Sequence, residues 1–231
     1  DLRLQDNPSI LSLSNKVDQI VPIYIFDLDQ RVGSTSKWWL EKSLLSLSET
    51  IKKQNGKLNI FSGDPEKIIS SILKNSNIKC LSWNRLYDPY SIQRDSKIKS
   101  LITLCKKECD SHNGYLLNEP WNIKNKSGTF FKVFTPYWRH CDEILKLNNY
   151  KSKKTKINYA NFKFKNETTI QDLILSNKKD KWIKKIEKFW IPGECNAKLQ
   201  LKKYILEKAN NYSVGRDRPD KDLTSKLSPY L

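Results

Sequence analysis

Nowhere in these 231 residues do roughly 18 apolar residues follow one another, the run a helix needs to cross a bilayer. A charged-then-apolar leader is missing at the N-terminus as well. Neither a membrane span nor a secretory signal is expected, and a soluble cytoplasmic protein is. Cysteine is sparse and odd in number: Cys80, Cys105, Cys109, Cys141 and Cys195 are scattered along the chain. That pattern argues against a secreted disulfide framework and for free thiols in a reducing compartment. Arginine is scarce too, at seven of 42 basic residues, although it is the better phosphate fork. Nothing marks a hydrolytic triad, and His140 is expected to cap or pack.

What is abundant is positive charge, a formal +17. Lysine and arginine release counterions from a nucleic-acid backbone, so such a chain is drawn to DNA or RNA. A composition rich in Lys, Asn and Ile is the plainer source of the same charge, and charge alone leaves both open. The length suits one large domain or two small ones, either with a core that needs no disulfide or metal.

Four short apolar runs, Val21 to Phe26, Leu58 to Phe61, Ile78 to Trp83 and Tyr115 to Leu117, alternate with stretches of helical periodicity. That alternation predicts an α/β fold with a parallel sheet. Between Trp38 and Lys53, residues Leu40, Leu44, Leu47 and Ile51 paint one apolar helix face. Asn7 before Pro8, and Asp64 before Pro65, read as capped helix starts. From about Leu145 to Lys188 the chain turns Lys- and Asn-rich and reads as a long surface connection. Pro192 and Gly193 then introduce a helix with Ala197, Leu201, Tyr204 and Ile205 on one face. The expected division is an α/β domain over 1–144, a linker over 145–188 and the incomplete start of an all-α domain over 189–231. Both ends are expected to be truncated.

Cys105, Cys109 and His112 fall at spacings of four and three, which on a helix would align three zinc ligands. Ile98, Leu101 and Ile102 lead into the same stripe, so the two cysteines are expected as helix core residues, with no metal. Trp38 and Trp39 are expected to pack. Thr224-Ser225-Lys226-Leu227-Ser228 clusters hydroxyls and backbone N–H groups at a helix start, an arrangement that either caps the helix or holds a pyrophosphate.

Several blocks carry a family resemblance in order along the chain: DLRLQDNPSI at the start, SKWWLEKSLLSL, FSGDP, WNRLYDPYSIQRD, FKVFTPYWR, then WIPGECNAKLQLKKYI and NNYSVGRDRPDKDLTSKLSPYL. Together they resemble the DNA photolyase and cryptochrome family, across nearly the whole chain. The resemblance implies a Rossmann-like parallel five-stranded sheet of order 3-2-1-4-5, its first strand missing here, followed by the beginning of an all-α FAD-binding domain. It implies that Tyr212, Thr224, Ser225, Lys226, Leu227 and Ser228 contact FAD, and that Arg216 contacts DNA phosphate near the lesion. An intramolecular pair with Asp217 or Asp220 is the alternative for Arg216.

The implied activity is light-driven, FAD-dependent repair of pyrimidine dimers by a deoxyribodipyrimidine photo-lyase, with damaged DNA as partner and a monomeric protein. The catalytic residues are expected beyond the last residue of this chain, which is expected to be inactive alone. A cryptochrome-type blue-light receptor is the alternative, and a basic nucleotide-binding module without flavin is another. The family's α/β domain often holds an antenna, a folate or deazaflavin, along the segment corresponding to Asn84 to Asp95. Tyr90-Ser91 stand where folate-binding members carry an Asn-Glu pair, so no antenna is assigned.

Overall fold

The structure, a computed structural model, describes residues 2–29, 32–75, 77–147, 155–173, 175–176 and 180–230. In chain order the elements are α1 (Pro8–Ser14), β1 (Ile23–Phe26), α2 (Ser34–Lys53), β2 (Asn59–Ser62), α3 (Pro65–Leu73), β3 (Cys80–Asn84), α4 (Pro89–Leu104), β4 (Glu108–His112), α5 (Phe134–Leu147), α6 (Lys181–Ile186), α7 (Glu194–Glu207) and α8 (Tyr212–Gly215). They divide into two compact units, Arg3–Asp18 with Ile69–Ile157 and Gln19–Ile68 with Asn158–Leu231.

In the first unit β3 and β4 pair in parallel, from Cys80 opposite Glu108 to Asn84 opposite His112. Helix α1 lies against both strands. Its start is set by Asn7, whose side chain accepts from the N–H groups of Ser9 and Ile10, with Pro8 in the first turn. Asn84 at the end of β3 donates to Asn7 Oδ1 at 2.9 Å and accepts from Ser9 N–H at 3.2 Å. The helix cap and the strand end are therefore one polar cluster. Helix α4 starts at Asp88, which accepts from Ser91 N–H at 2.9 Å, and turns Ile98 and Ile102 inward. Asp95 is buried on the same helix, its charge met by Arg94 at 2.8 Å and by the Trp83 indole N–H at 2.8 Å.

The fourth strand is not where the apolar pattern predicts it. Tyr115 and Leu117 are exposed, and the strand is the polar run Glu108–His112. Its ladder with β3, and an ion pair from Lys16 to Asp110, hold it in place of apolar burial. The helical reading of Cys105, Cys109 and His112 is corrected by the same finding. Cys105 is an exposed residue closing α4, while Cys109 and His112, three apart on a strand, point to opposite faces.

In the second unit β1 and β2 pair in parallel from Ile23 opposite Asn59 to Phe26 opposite Ser62. Among the described residues the strands form two two-stranded sheets. Helix α2 buries Leu44 and Ile51 of the face that the spacing predicts, with Leu40 and Leu47 half-buried on it, and buries Trp38 on another side near its start. Asn59 is fully buried, its amide donating to the Pro22 carbonyl at 3.0 Å. The Lys- and Asn-rich stretch is more than a surface connection: Ile170, Leu175 and Ile183 are buried, and Tyr159 and Thr168 bridge to Ile20 and Ile60.

The tryptophans of this unit form a ring cluster. Trp38 meets Trp39 and Trp182 edge-on at 6.1 and 6.5 Å, and Trp39 meets Trp190 and Tyr230 at 6.2 and 5.0 Å. Gly193, at φ 115°, carries the chain into α7 where a Cβ would meet Ser46 Oγ at 2.3 Å. All five cysteines are free thiols; Cys141 is buried and Cys195, like Cys105, is exposed. Among the described residues no helix is long and apolar enough to cross a membrane.

Candidate functional site

The residues singled out near the C-terminus gather around α7. Residues four apart on a helix share a face, and on α7 these are Gln200 and Tyr204. The Gln200 amide donates to the Ser225 carbonyl at 3.0 Å. The ring of Tyr204 meets that of Tyr212 edge-on at 6.2 Å. One helix face thus positions both the loop Thr224–Ser228 and the tyrosine twelve residues before it. The predicted apolar face of α7 is not covered, since Leu201 and Ile205 are exposed.

The loop is also tied to α8 and to its own flanks. Leu223 fills the space beside Gly215, where a Cβ would meet its side chain at 2.3 Å. Asp222 binds two ammonium groups, Lys226 Nζ at 2.8 Å and Lys208 Nζ at 3.0 Å. Hydrogen bonds from Lys226 and then Lys208 hold its carboxyl below the usual carboxylate range. Leu227 N–H donates to Ser225 Oγ at 3.3 Å, and Tyr230 N–H to the Leu227 carbonyl at 2.8 Å. Lys226 adopts φ 54°, the left-handed region that a side chain seldom enters unless surrounding contacts impose it.

Exposure alternates along this loop: Thr224, Lys226 and Ser228 face solvent while Ser225 and Leu227 are half-buried. Two hydroxyls and an ammonium are therefore presented together. Ser228 opens a 3₁₀ turn, Ser228–Tyr230. Arg216 closes α8 with an exposed side chain, its Nε 3.4 Å from Asp217 Oδ1 and its guanidinium 5.9 Å from the Tyr212 ring centroid. Arg218, not Arg216, pairs with Asp220. The clamps Gln200, Lys208 and Asp222 went unmarked in the sequence, because a single amide or charge on a polar helix carries no pattern.

The segment Asn84 to Asp95 lies in the first unit. Tyr87 Oη stands 2.7 Å from Glu119 Oε1, and Arg85 Nε pairs with the same carboxylate at 3.2 Å. Burial, with the Glu119 carboxylate beside it, pushes the Tyr87 phenol up to about 12. Tyr90 is exposed under Arg94, and Ser91 is buried as part of the α4 cap.

The sequence model of the DNA photolyase family matches residues 1–156. Over its whole length the chain is 32% identical to a deoxyribodipyrimidine photo-lyase of Agrobacterium fabrum, covering 48% of that protein. It is 27% identical to cryptochrome-2 of Arabidopsis thaliana, covering 39% of it. The structure superposes along its full length on a bacterial class III photolyase from Agrobacterium tumefaciens with a TM-score of 0.89 at 31% identity, covering 48% of that chain. The chain spans about half the length of the photolyases it matches. By its sequence match and its mixed α/β architecture, the chain belongs to the DNA photolyase family.

Proposed function

We propose that the full-length protein is a deoxyribodipyrimidine photo-lyase that repairs pyrimidine dimers in DNA with light and FAD. The observation that carries this reading is the shared anchoring of Tyr212 and the Thr224–Ser228 loop on one face of α7. The donor set suits the cofactor. Hydroxyls of Thr224 and Ser228, on the solvent side, match the hydrogen-bonding needs of a diphosphate, and the ammonium of Lys226, held beside them by Asp222, would add positive charge. Tyr212 and the backbone of Ser225 and Leu227 would flank the same group. Bound there, reduced FAD supplies the electron that splits the dimer, while the protein orients the flavin beside the lesion and excludes water. Arg216, exposed at the end of α8, would hold lesion-strand phosphate, and a flipped dimer costs less to unstack than intact bases.

The reading includes an α/β domain over 1–144 with a single five-stranded sheet, a connection over 145–188 and the start of a helical flavin domain over 189–231, in a monomeric cytoplasmic protein. No antenna is proposed, because Tyr90-Ser91 lacks the charge of the Asn-Glu pair. A cryptochrome without lyase activity is the second reading, supported by the likeness to Arabidopsis cryptochrome-2. The family match argues against an unrelated basic module without flavin.

The test is the flavin absorption spectrum of the full-length protein, with loss of cyclobutane dimers from irradiated DNA followed in light and in darkness. Flavin with light-dependent loss establishes the photolyase. Flavin without loss favours the cryptochrome, or a photolyase for the (6-4) lesion. Absence of flavin overturns the assignment of Tyr212 and Thr224 to Ser228.

A further inference from the structure

We propose that Asn55, just past the end of α2, is a site of spontaneous modification: the main-chain nitrogen of Gly56 attacks its side-chain amide, and the turn converts with time to aspartyl and isoaspartyl forms. This site is independent of the flavin and of the repair activity proposed above.

The chain holds two Asn-Gly steps, Asn55-Gly56 and Asn113-Gly114. Glycine in second place leaves the attacking nitrogen unhindered, because it carries no Cβ. In the reaction a bond forms from Gly56 N to Asn55 Cγ while the Cγ–Nδ2 bond breaks. The Gly56 N–H proton departs with the amide as ammonia, and a five-membered succinimide remains. Water then opens the ring. Attack at Cγ gives aspartate, and attack at the main-chain carbonyl gives isoaspartate, whose main chain runs through the side chain and is one carbon longer. Water is the only co-reactant.

The fold treats the two steps differently. Asn113 is held by its electrophile: Oδ1 accepts from Leu116 N–H at 2.9 Å and Tyr115 N–H at 3.3 Å, and Nδ2 donates to the Leu116 carbonyl at 2.7 Å. Tyr87 Oη lies 3.0 Å from the same Oδ1. Gly114 is packed so closely on Asn84 that a Cβ would stand 2.5 Å from its Cγ. Swinging Asn113 Cγ towards Gly114 N would break all of these contacts together. Asn55 makes no side-chain hydrogen bond among the described residues. It takes φ 61° as the left-handed residue of a helix-ending turn, in which Asn55 N–H donates to the Lys52 carbonyl and Gly56 N–H to the Ile51 carbonyl, each at 3.0 Å. Only the Gly56 bond restrains the nucleophile, and it lies at a helix end, where local opening is cheapest.

The product does not fit the turn that forms it. A Cβ on Gly56 would already meet Tyr159 Cγ at 2.4 Å and Ile51 Cγ2 at 2.8 Å. An extra main-chain carbon before Gly56 must therefore push against the Tyr159 ring. Tyr159 sits between Asn158 and Ala160, which hydrogen-bond to Ile20 at 2.8 and 3.0 Å. Isoaspartate at 55 thus loosens the returning segment, whereas aspartate with the ordinary main chain leaves it seated.

The test is ageing of the full-length protein at mildly alkaline pH. Peptide mass spectrometry follows exchange of the amide for a carboxyl, and a protein isoaspartate methyltransferase labels the isoaspartyl form. In the native protein Asn55 should convert about tenfold faster than Asn113 or more, and in urea the two should convert at like rates. Equal native rates, or a faster Asn113, overturn the proposal. A preference for Asn55 that persists in urea does so too, since it would belong to the neighbouring sequence and not to the turns. Asn55→Gly, which keeps the left-handed turn, should abolish the isoaspartate label, and a label that survives it overturns the site. Asn55→Asp adds the charge alone and should melt close to the unaltered protein, while aged protein melts lower. Aged protein that melts with Asn55→Asp overturns the displacement of Tyr159.

Discussion

The side-chain amide of Gln200 reaches the carbonyl of Ser225 at 3.0 Å, so a helix residue with no chemistry of its own holds the candidate flavin loop by its backbone. Removing that donor in Gln200→Ala should cost about 1 kcal/mol, roughly fivefold in flavin affinity. Flavin absorbance after dialysis of the full-length protein, beside a thermal melt, checks it. A parallel loss of overall stability would mean that Gln200 supports the fold and not the loop.

Arg216 has a different signature. Its pair with Asp217 is long and exposed, and such pairs contribute little to folding. Arg216→Ala should therefore leave the melting temperature unchanged while weakening binding to a dimer-containing oligonucleotide about tenfold. Equal affinity in gel-shift titrations would return Arg216 to the role of an internal partner for Asp217.

Trp38 is 1% exposed, packed against Trp39 and Trp182 in the ring cluster. Trp38→Ala should destabilise the protein by about 3–5 kcal/mol, through lost burial and an unfilled cavity. Trp39→Ala should cost less, because Trp39 is half-buried. Urea midpoints of the two variants give the order directly.

Gly193 combines φ 115° with a close approach of Ser46. Gly193→Ala is expected to cost on the order of 1–3 kcal/mol from backbone strain and the clash. At Gly33 a methyl group would meet nothing within 4 Å, so Gly33→Ala should leave the melt unaltered. Comparable melts for the two would show that the Ser46 contact gives way freely.

Glu167 ties the returning segment to the second unit. Burial works against its charge, yet the hydrogen bond from Lys57 and that from Phe164 N–H together hold its carboxyl below the ordinary value. A lowered folded value stabilises the protein above the ordinary range and loses that contribution as pH falls through the folded value. Thermal melts from neutral pH downwards should show the loss, and Glu167→Gln should start lower and flatten the acid limb. An acid limb identical to that of the unaltered protein would place the loss on other carboxylates.

Helices were legible wherever a cap stood beside a proline. Asn7-Pro8 and Asp64-Pro65 each open a helix through a side chain that accepts from the first turn. The apolar face of α2 was equally readable, because its burial follows the helical period. Strand β4 was not, since Glu-Cys-Asp-Ser-His has no apolar alternation and owes its place to the ladder with β3 and to Lys16. Ile170, Leu175 and Ile183 were lost among lysines for the same reason: burial of single apolar residues in a polar stretch is decided by what they meet across the fold. At the candidate site the contacting residues stood in the motif, but the posts that hold them, Gln200 and Asp222, depend on distances between elements.

Cys105 and Cys195 both stand at the surface, whereas Cys141 is sealed inside. One accessible thiol per molecule would stop at a linked pair, but two allow each molecule to join two others. Storage in air should therefore yield a ladder of covalent oligomers that collapses to a single band on reduction.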